Sequence, residues 1–380
     1  MKKLCLYLAI VVGVGLLLVF VLNDNKKPTP PLSSMAGQTD YNGINQPPAI
    51  LVKETKFSKR EETIAPPIDD LNLAAVSVQE RQQYYNGLLD QSPLEIFKQL
   101  IAILNSDIPY DPIRIELISS ALEYQLQHTL QNEQVYQLFY EYLNSQDGTD
   151  AQKEQLITIL ERTSTPESVD VLLTSANGSP DSNINSRIRS ALAKTADYRW
   201  DGRFHEELSS RLEQAWASTE NESFHPSIAT AIAKVGSPNG VRLLLDELLA
   251  SNGSYDEIKI SDNPKAQAAL RSLGNVRNPE AVPVLSELLK EQNSTTSNAT
   301  TIISGNTLAA MGRPEATQAL LEWSVVAQDD QAIWAKRWFS KVRDPGSIEI
   351  MQQYIDNNQF ISTRVKDEVI RVYNKKASGR

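Results

Sequence analysis

The chain is 380 residues long and carries 47 acidic against 37 basic side chains, a formal net charge of -10, with one cysteine and three histidines. A single cysteine excludes an internal disulfide framework and any cysteine-rich zinc or iron–sulfur site, and three histidines leave little for a multi-histidine metal centre. The acidic balance speaks against a general nucleic-acid binder, whose contact face is normally basic.

In chain order, Met1-Lys2-Lys3 precedes an uncharged apolar run from Leu4 to Leu22, closed by Asn23-Asp24-Asn25-Lys26-Lys27. A helix over that run reaches about 28 Å at about 1.5 Å per residue, close to a bilayer hydrocarbon core of roughly 30 Å. No Ala-x-Ala site follows directly, so residues 1–22 are expected to be an uncleaved signal anchor rather than a cleaved signal peptide. The lone Cys5 sits at the start of the run, too early for a lipoprotein cysteine. The short N-terminal tail predicts a single-pass inner (cytoplasmic) membrane protein with a periplasmic body. Residues 23–74 hold Pro28, Pro30, Pro31, Pro47, Pro48, Pro66 and Pro67 among polar side chains. Such a segment buries too little to offset its ordering entropy, and a disordered, extended linker is expected.

From about residue 75 the signals turn helical. Ser92-Pro93-Leu94-Glu95 combines a cap serine, a proline in the first turn and a glutamate at the third position, ahead of Ile96, Leu100, Ile103 and Leu104 on one face. Asp111-Pro112 opens a second helix with Ile113, Leu117, Ala121 and Leu122, and Val135, Leu138, Phe139, Tyr142 and Leu143 mark a third. No series of alternating, strand-like segments appears. The predicted class is all-α, with an N-terminal helical region over 75–150.

The later part repeats. Thr195, Val235, Leu273, Met311 and Val342 end equivalent helices, at spacings of about 40, 38, 38 and 31 residues. A small-residue helix, a Gly- or Asn-Pro turn and a leucine-rich helix form the unit, as in Val241–Leu249 and Ala281–Leu289. Each pair leaves an apolar face that the next pair covers. Met311-Gly312-Arg313-Pro314-Glu315-Ala316 and Leu273-Gly274-Asn275-Val276-Arg277-Asn278-Pro279-Glu280-Ala281 resemble the turn of the HEAT-repeat family in its short bacterial form, and Thr165-Pro166-Glu167 is a fainter echo. The resemblance implies a right-handed alpha-solenoid of HEAT-like hairpins over 151–373, before a basic tail at 374–380. Such solenoids serve mostly as binding surfaces; some relatives resemble bilin lyases, but no catalytic set transfers residue by residue. Two loops, Ser251–Asp262 and Glu291–Thr300, interrupt the rhythm and are expected to project from one edge of the stack.

Chemistry is sparse. His128, His205 and His225 match no metalloprotease spacing, and no phosphate loop, nucleophile elbow or calcium loop is present. No catalytic residue, cofactor or metal ligand is therefore assigned. Two surfaces remain as partner-binding candidates. Trp323, Trp334 and Trp338 either cover the end of the core or offer a ring to a peptide or sugar. Arg364, Lys366 and Arg371 form a basic C-terminal stretch, either a solenoid cap or a dock for an acidic protein, anionic polymer or lipid. The expected function is a membrane-tethered, noncatalytic protein-binding scaffold in an envelope assembly. A hydrolase or lyase acting on an envelope polymer, and a glycan- or anionic-lipid-binding module, are the alternatives.

Overall fold

Half of the α-helix starts among the described residues are set by a short polar residue placed before proline, or three residues before a side chain that returns the cap. The computed structural model describes Leu73 and residues 77–106, 111–129, 132–146, 148–176, 182–197, 205–250, 254–290 and 299–378. Ser92 accepts from the Glu95 amide while the Glu95 carboxylate accepts from the Ser92 amide at 2.9 Å, a closed capping box. Asp111 accepts from the amides of Ile113 and Arg114 at 3.0 and 3.2 Å. Its other carboxylate oxygen accepts from the amide of Leu73, which is buried although it falls in the stretch expected to be linker.

Among the described residues the chain forms eighteen α-helices and no strand. They are α1 (Val78–Leu89), α2 (Pro93–Leu104), α3 (Pro112–His128), α4 (Glu133–Asn144), α5 (Asp150–Thr163), α6 (Pro166–Ser175), α7 (Asn183–Lys194), α8 (His205–Ser218) and α9 (His225–Val235). There follow α10 (Pro238–Leu249), α11 (Tyr255–Lys259), α12 (Pro264–Leu273), α13 (Val282–Lys290), α14 (Ala299–Met311), α15 (Pro314–Val326), α16 (Ala332–Phe339), α17 (Pro345–Asn357) and α18 (Thr363–Ala377). They stack in two rows. The first row runs α1, α3, α5, α7, α9, α12, α14, α16, α18; the second runs α2, α4, α6, α8, α10, α13, α15, α17. The short α11 belongs to neither and packs on α12 and α14. Apolar faces of both rows merge into one core from Leu88 to Val372. The helix-hairpin solenoid expected for the later part of the chain thus starts at α1, within the stretch read only as an N-terminal helical region.

The turns carry the repeat. Gly236 and Gly312 leave α9 and α14 with φ of +63° and +66°, and Ser164 ends α5 with the same left-handed φ of 51°. Gly274, equivalent in sequence, stays right-handed, because the longer turn after α12 lets Val276 drop into the core instead. Asn278 closes that turn: its Oδ1 accepts from the Glu280 amide at 3.0 Å, and its Nδ2 donates to the Val235 carbonyl of the preceding repeat at 3.1 Å.

The expectation of a membrane-anchored chain is corrected. Among the described residues no helix is long and apolar enough to cross a membrane. The longest, α3, has 17 residues against the roughly 20 that a span needs, and its polar side faces out. α14 is buried almost all round inside the stack, yet its 13 residues reach only about 20 Å and include Thr300, Thr301, Ser304, Asn306 and Thr307. The predicted span Leu4–Leu22 and the linker up to residue 72 lie outside the described residues. The transmembrane fold class, the inner-membrane and periplasmic location, the membrane as partner and the envelope assembly all rested on that span. None of them enters the functional reading below.

Candidate functional site

The first row opens at one place. α12 and α14 are the consecutive pair in it that barely touch, among the described residues, and a cavity of about 240 Å³ separates them. Leu270 and Leu273 of α12 and Ile303 of α14 supply its apolar lining. Arg271, Arg337 and Lys341 bring positive charge to it, and Tyr255, Asn306 and Thr307 bring hydroxyl and amide groups. No carboxylate and no histidine lines it.

The geometry follows from how α14 is held. Every residue of this helix is buried except Asn306 and Ala310, one turn apart, and both line the cavity. Behind them, Trp338 of α16 packs flat enough on α14 that only glycine fits at residue 305. The Trp338 indole N–H donates to Asn306 Oδ1 at 3.3 Å. An indole is a donor only, so the amide oxygen is the acceptor and the Asn306 NH2 group remains for another partner. On the same helix, the Arg337 guanidinium lies 5.4 Å from the Trp334 ring centroid, a cation–π contact that orients the arginine. Lys341 follows one turn after Arg337, and partial burial together with the Arg337 charge lowers its pKa.

These cations are set apart by lining one cavity together, since Lys98, Lys259, Lys336, Arg343 and Arg364 also lack a carboxylate partner among the described residues while many others are paired. Arg187 and Lys194 pair with Glu161, Lys234 with Asp197, Arg242 with Glu287, Lys265 with Glu247 and Lys290 with Glu322. Arg271, Arg337 and Lys341 have no carboxylate partner among the described residues, in a chain with ten more acids than bases. An uncompensated group of cations over a polar and apolar lining is suited to hold an anion.

The candidates from sequence divide. Trp323 and Trp338 are fully buried, with ring centroids 4.6 Å apart in an edge-to-face contact, and present no ring to a ligand. Trp334 stacks on Trp338 at 6.0 Å, is half-buried, and reaches the cavity only through Arg337. Arg364, Lys366 and Arg371 sit on α18 and none lines the cavity. Arg364 is exposed, Lys366 lies 5.8 Å from the Phe360 ring, and Arg371 pairs with Glu368. Lys376, in the basic tail at 374–380, donates to the carbonyls of Ser340 and Val342. Two histidines have nearby partners: His225 is buried against Trp216 and bonds the Thr219 carbonyl, while His128 stacks on Tyr124; His205 Nε2 lies 3.5 Å from the Glu280 carboxylate, far along the chain. Among the described residues no group of His, Cys, Asp and Glu could hold a metal ion.

The loop residues 251–253 and 291–298 lie outside the described residues. The remainder of the first loop is α11, opened by a Ser254–Glu257 capping box that brings Tyr255 to the cavity. That box is legible in sequence, as is the Trp334, Arg337, Lys341 spacing along one helical face. Arg271 carries no such signal, since its approach depends on the opening between α12 and α14.

The model of the PBS lyase HEAT-like repeat matches residues 266–291, spanning α12, the Asn278 turn and α13. No curated protein matches the sequence. Among solved structures, the CpcE–CpcF complex of phycocyanin lyase from Nostoc sp. PCC7120 is similar at 11% identity, over 65% of this chain and 95% of that one, with a TM-score of 0.28. Human deoxyhypusine hydroxylase in complex with glycerol is similar at 13% identity, over 66% of this chain and 98% of that one, with a TM-score of 0.24. The similarity that the chain itself displays is to a HEAT-like repeat, in an all-helical stack of hairpins.

Proposed function

We propose that this chain is a noncatalytic scaffold that holds an acidic segment of another protein, with the opening between α12 and α14 as its docking point. The observation that carries the reading is the convergence of Arg271, Arg337 and Lys341, none with a carboxylate partner among the described residues, on one cavity of an acidic protein. A stack of short helix pairs offers a long, rigid surface at low entropic cost on binding, and unpaired cations choose the charge of what binds.

The test is site-specific photocrosslinking in the full chain, in cells that make it. A crosslinker at exposed Ile333, one helical turn before Arg337 on α16, is expected to trap one discrete protein; the same group at exposed Glu287 of α13 in the second row is not. The adduct should disappear when Arg271 and Arg337 are both replaced by glutamate. Equal adducts from both positions, or an adduct that survives the double charge reversal, would overturn the docking point.

A further inference from the structure

Resting on that docking point, we infer that the cavity between α12 and α14 receives a phosphate monoester carried by the bound protein segment, a phosphorylated side chain rather than an ordinary carboxylate. Three features lead there. First, three cations, Arg271, Arg337 and Lys341, converge without a carboxylate among the described residues to balance them. One aspartate or glutamate would neutralise one charge and leave two facing each other over an apolar lining. A phosphate monoester brings about -1.5 to -2 charges and three acceptor oxygens at neutral pH.

Second, the donors suit that shape. Two guanidinium groups offer planar forks for two oxygens each, Lys341 adds a point charge, and the free NH2 of Asn306 adds a neutral donor whose orientation the Trp338 indole fixes. Arg337 is already held over Trp334, so less of its freedom is lost on binding.

Third, the volume of about 240 Å³ is below the roughly 300–1,000 Å³ of cofactor and drug-sized pockets. It admits a single side chain presented by an extended segment. The net charge of -10 opposes a nucleic-acid backbone along the rest of the surface.

The experiment uses the purified full chain and a blocked peptide, Ala-Ala-phosphoserine-Ala-Ala, with its glutamate and serine counterparts and a short single-stranded RNA as further probes. Binding is followed by calorimetry and by tryptophan fluorescence. The phosphopeptide is expected to bind at least tenfold more tightly than the glutamate peptide, and the serine peptide not at all. Phosphopeptide affinity should rise from pH 5 to pH 7 as the second phosphate proton leaves near pH 6, whereas glutamate affinity should stay level over that range. Arg271→Gln with Arg337→Gln should lower phosphopeptide affinity at least tenfold. Ala310→Phe, which fills the cavity and keeps every charge, should do the same, with circular dichroism confirming that each variant is folded.

Glutamate and phosphoserine peptides that bind equally, and lose binding together in the variants, would overturn the phosphate inference and leave the acidic docking point standing. Binding of neither peptide at millimolar concentration would remove both. RNA binding tighter than the phosphopeptide, or phosphopeptide binding unchanged in Ala310→Phe, would show diffuse electrostatics instead of this cavity.

Discussion

Trp338 lies so close to Gly305 that a Cβ at residue 305 would stand 2.2 Å from the ring atom Cζ2. The ring cannot retreat: Trp323 meets it edge-on at 4.6 Å on one side and Trp334 stacks at 6.0 Å on another. Gly305→Ala therefore overpacks the α14–α16 contact and is expected to cost about 1–3 kcal/mol in urea-induced unfolding. The displaced indole should also release Asn306 and weaken anion binding in the cavity. A variant with the wild-type urea midpoint would show that the contact relaxes at no cost.

The helix-pair stack was legible because its determinants are local. Ser92-Pro93-Leu94-Glu95 and Asp111-Pro112 announce their helices in four residues or fewer, and Gly236 and Gly312 recur because a left-handed helix end favours glycine. The candidate site was only half legible. Three tryptophans in a short stretch read equally as core or as an exposed platform, and the difference lies in what packs on them. Gly305, an unremarkable letter in an apolar helix, decides it by letting α16 close on α14. The opening beside α12 has no sequence signature, because it records a contact that two neighbouring helices fail to make.

Ser164 takes a left-handed φ of 51° where two later repeat ends use glycine. A non-glycine residue there is strained by about 1 kcal/mol or more, and its Oγ recovers part of that through a 2.6 Å bond to the Glu161 carbonyl. Ser164→Gly is expected to stabilise the fold by about 0.5 kcal/mol, read as a higher thermal midpoint. A lower midpoint would mean that the hydroxyl bond outweighs the backbone strain.

Asn278 is buried and joins two repeats by donating to Val235 while capping its own turn. Asn278→Ala leaves the Val235 carbonyl and the Glu280 amide without these partners and should cost about 1–3 kcal/mol. Asn278→Asp keeps the cap acceptor but sets a carboxylate against a carbonyl, so it should not rescue stability at pH 7. The comparison of both variants by urea unfolding separates the cap from the link: recovery in the aspartate variant would assign the whole effect to the cap.

Glu123 on α3 gives the fold a pH dependence of opposite sign to the usual carboxylate. Burial pushes its pKa from 4.5 up to about 7, against the pull of Arg162, whose guanidinium is 3.6 Å away and beyond hydrogen-bonding range. Arg162 is half in solvent and already bonds Glu116 at 3.2 Å, so its attraction does not offset the lost hydration. Below about pH 4.5 the group is protonated folded and unfolded, and its contribution is fully present. Between about 4.5 and 7 the folded chain holds the proton that the unfolded chain has released, so this contribution is lost as pH rises through the folded value. The full shift corresponds to an effect on the order of 3 kcal/mol. Glu123→Gln, which keeps the shape without the charge, should match the wild type in stability near pH 4 and exceed it at pH 8. Urea unfolding across that range measures the difference directly. A glutamine variant less stable than the wild type at pH 8 would mean that the Arg162 attraction wins, and that the carboxylate is ionised in the folded protein.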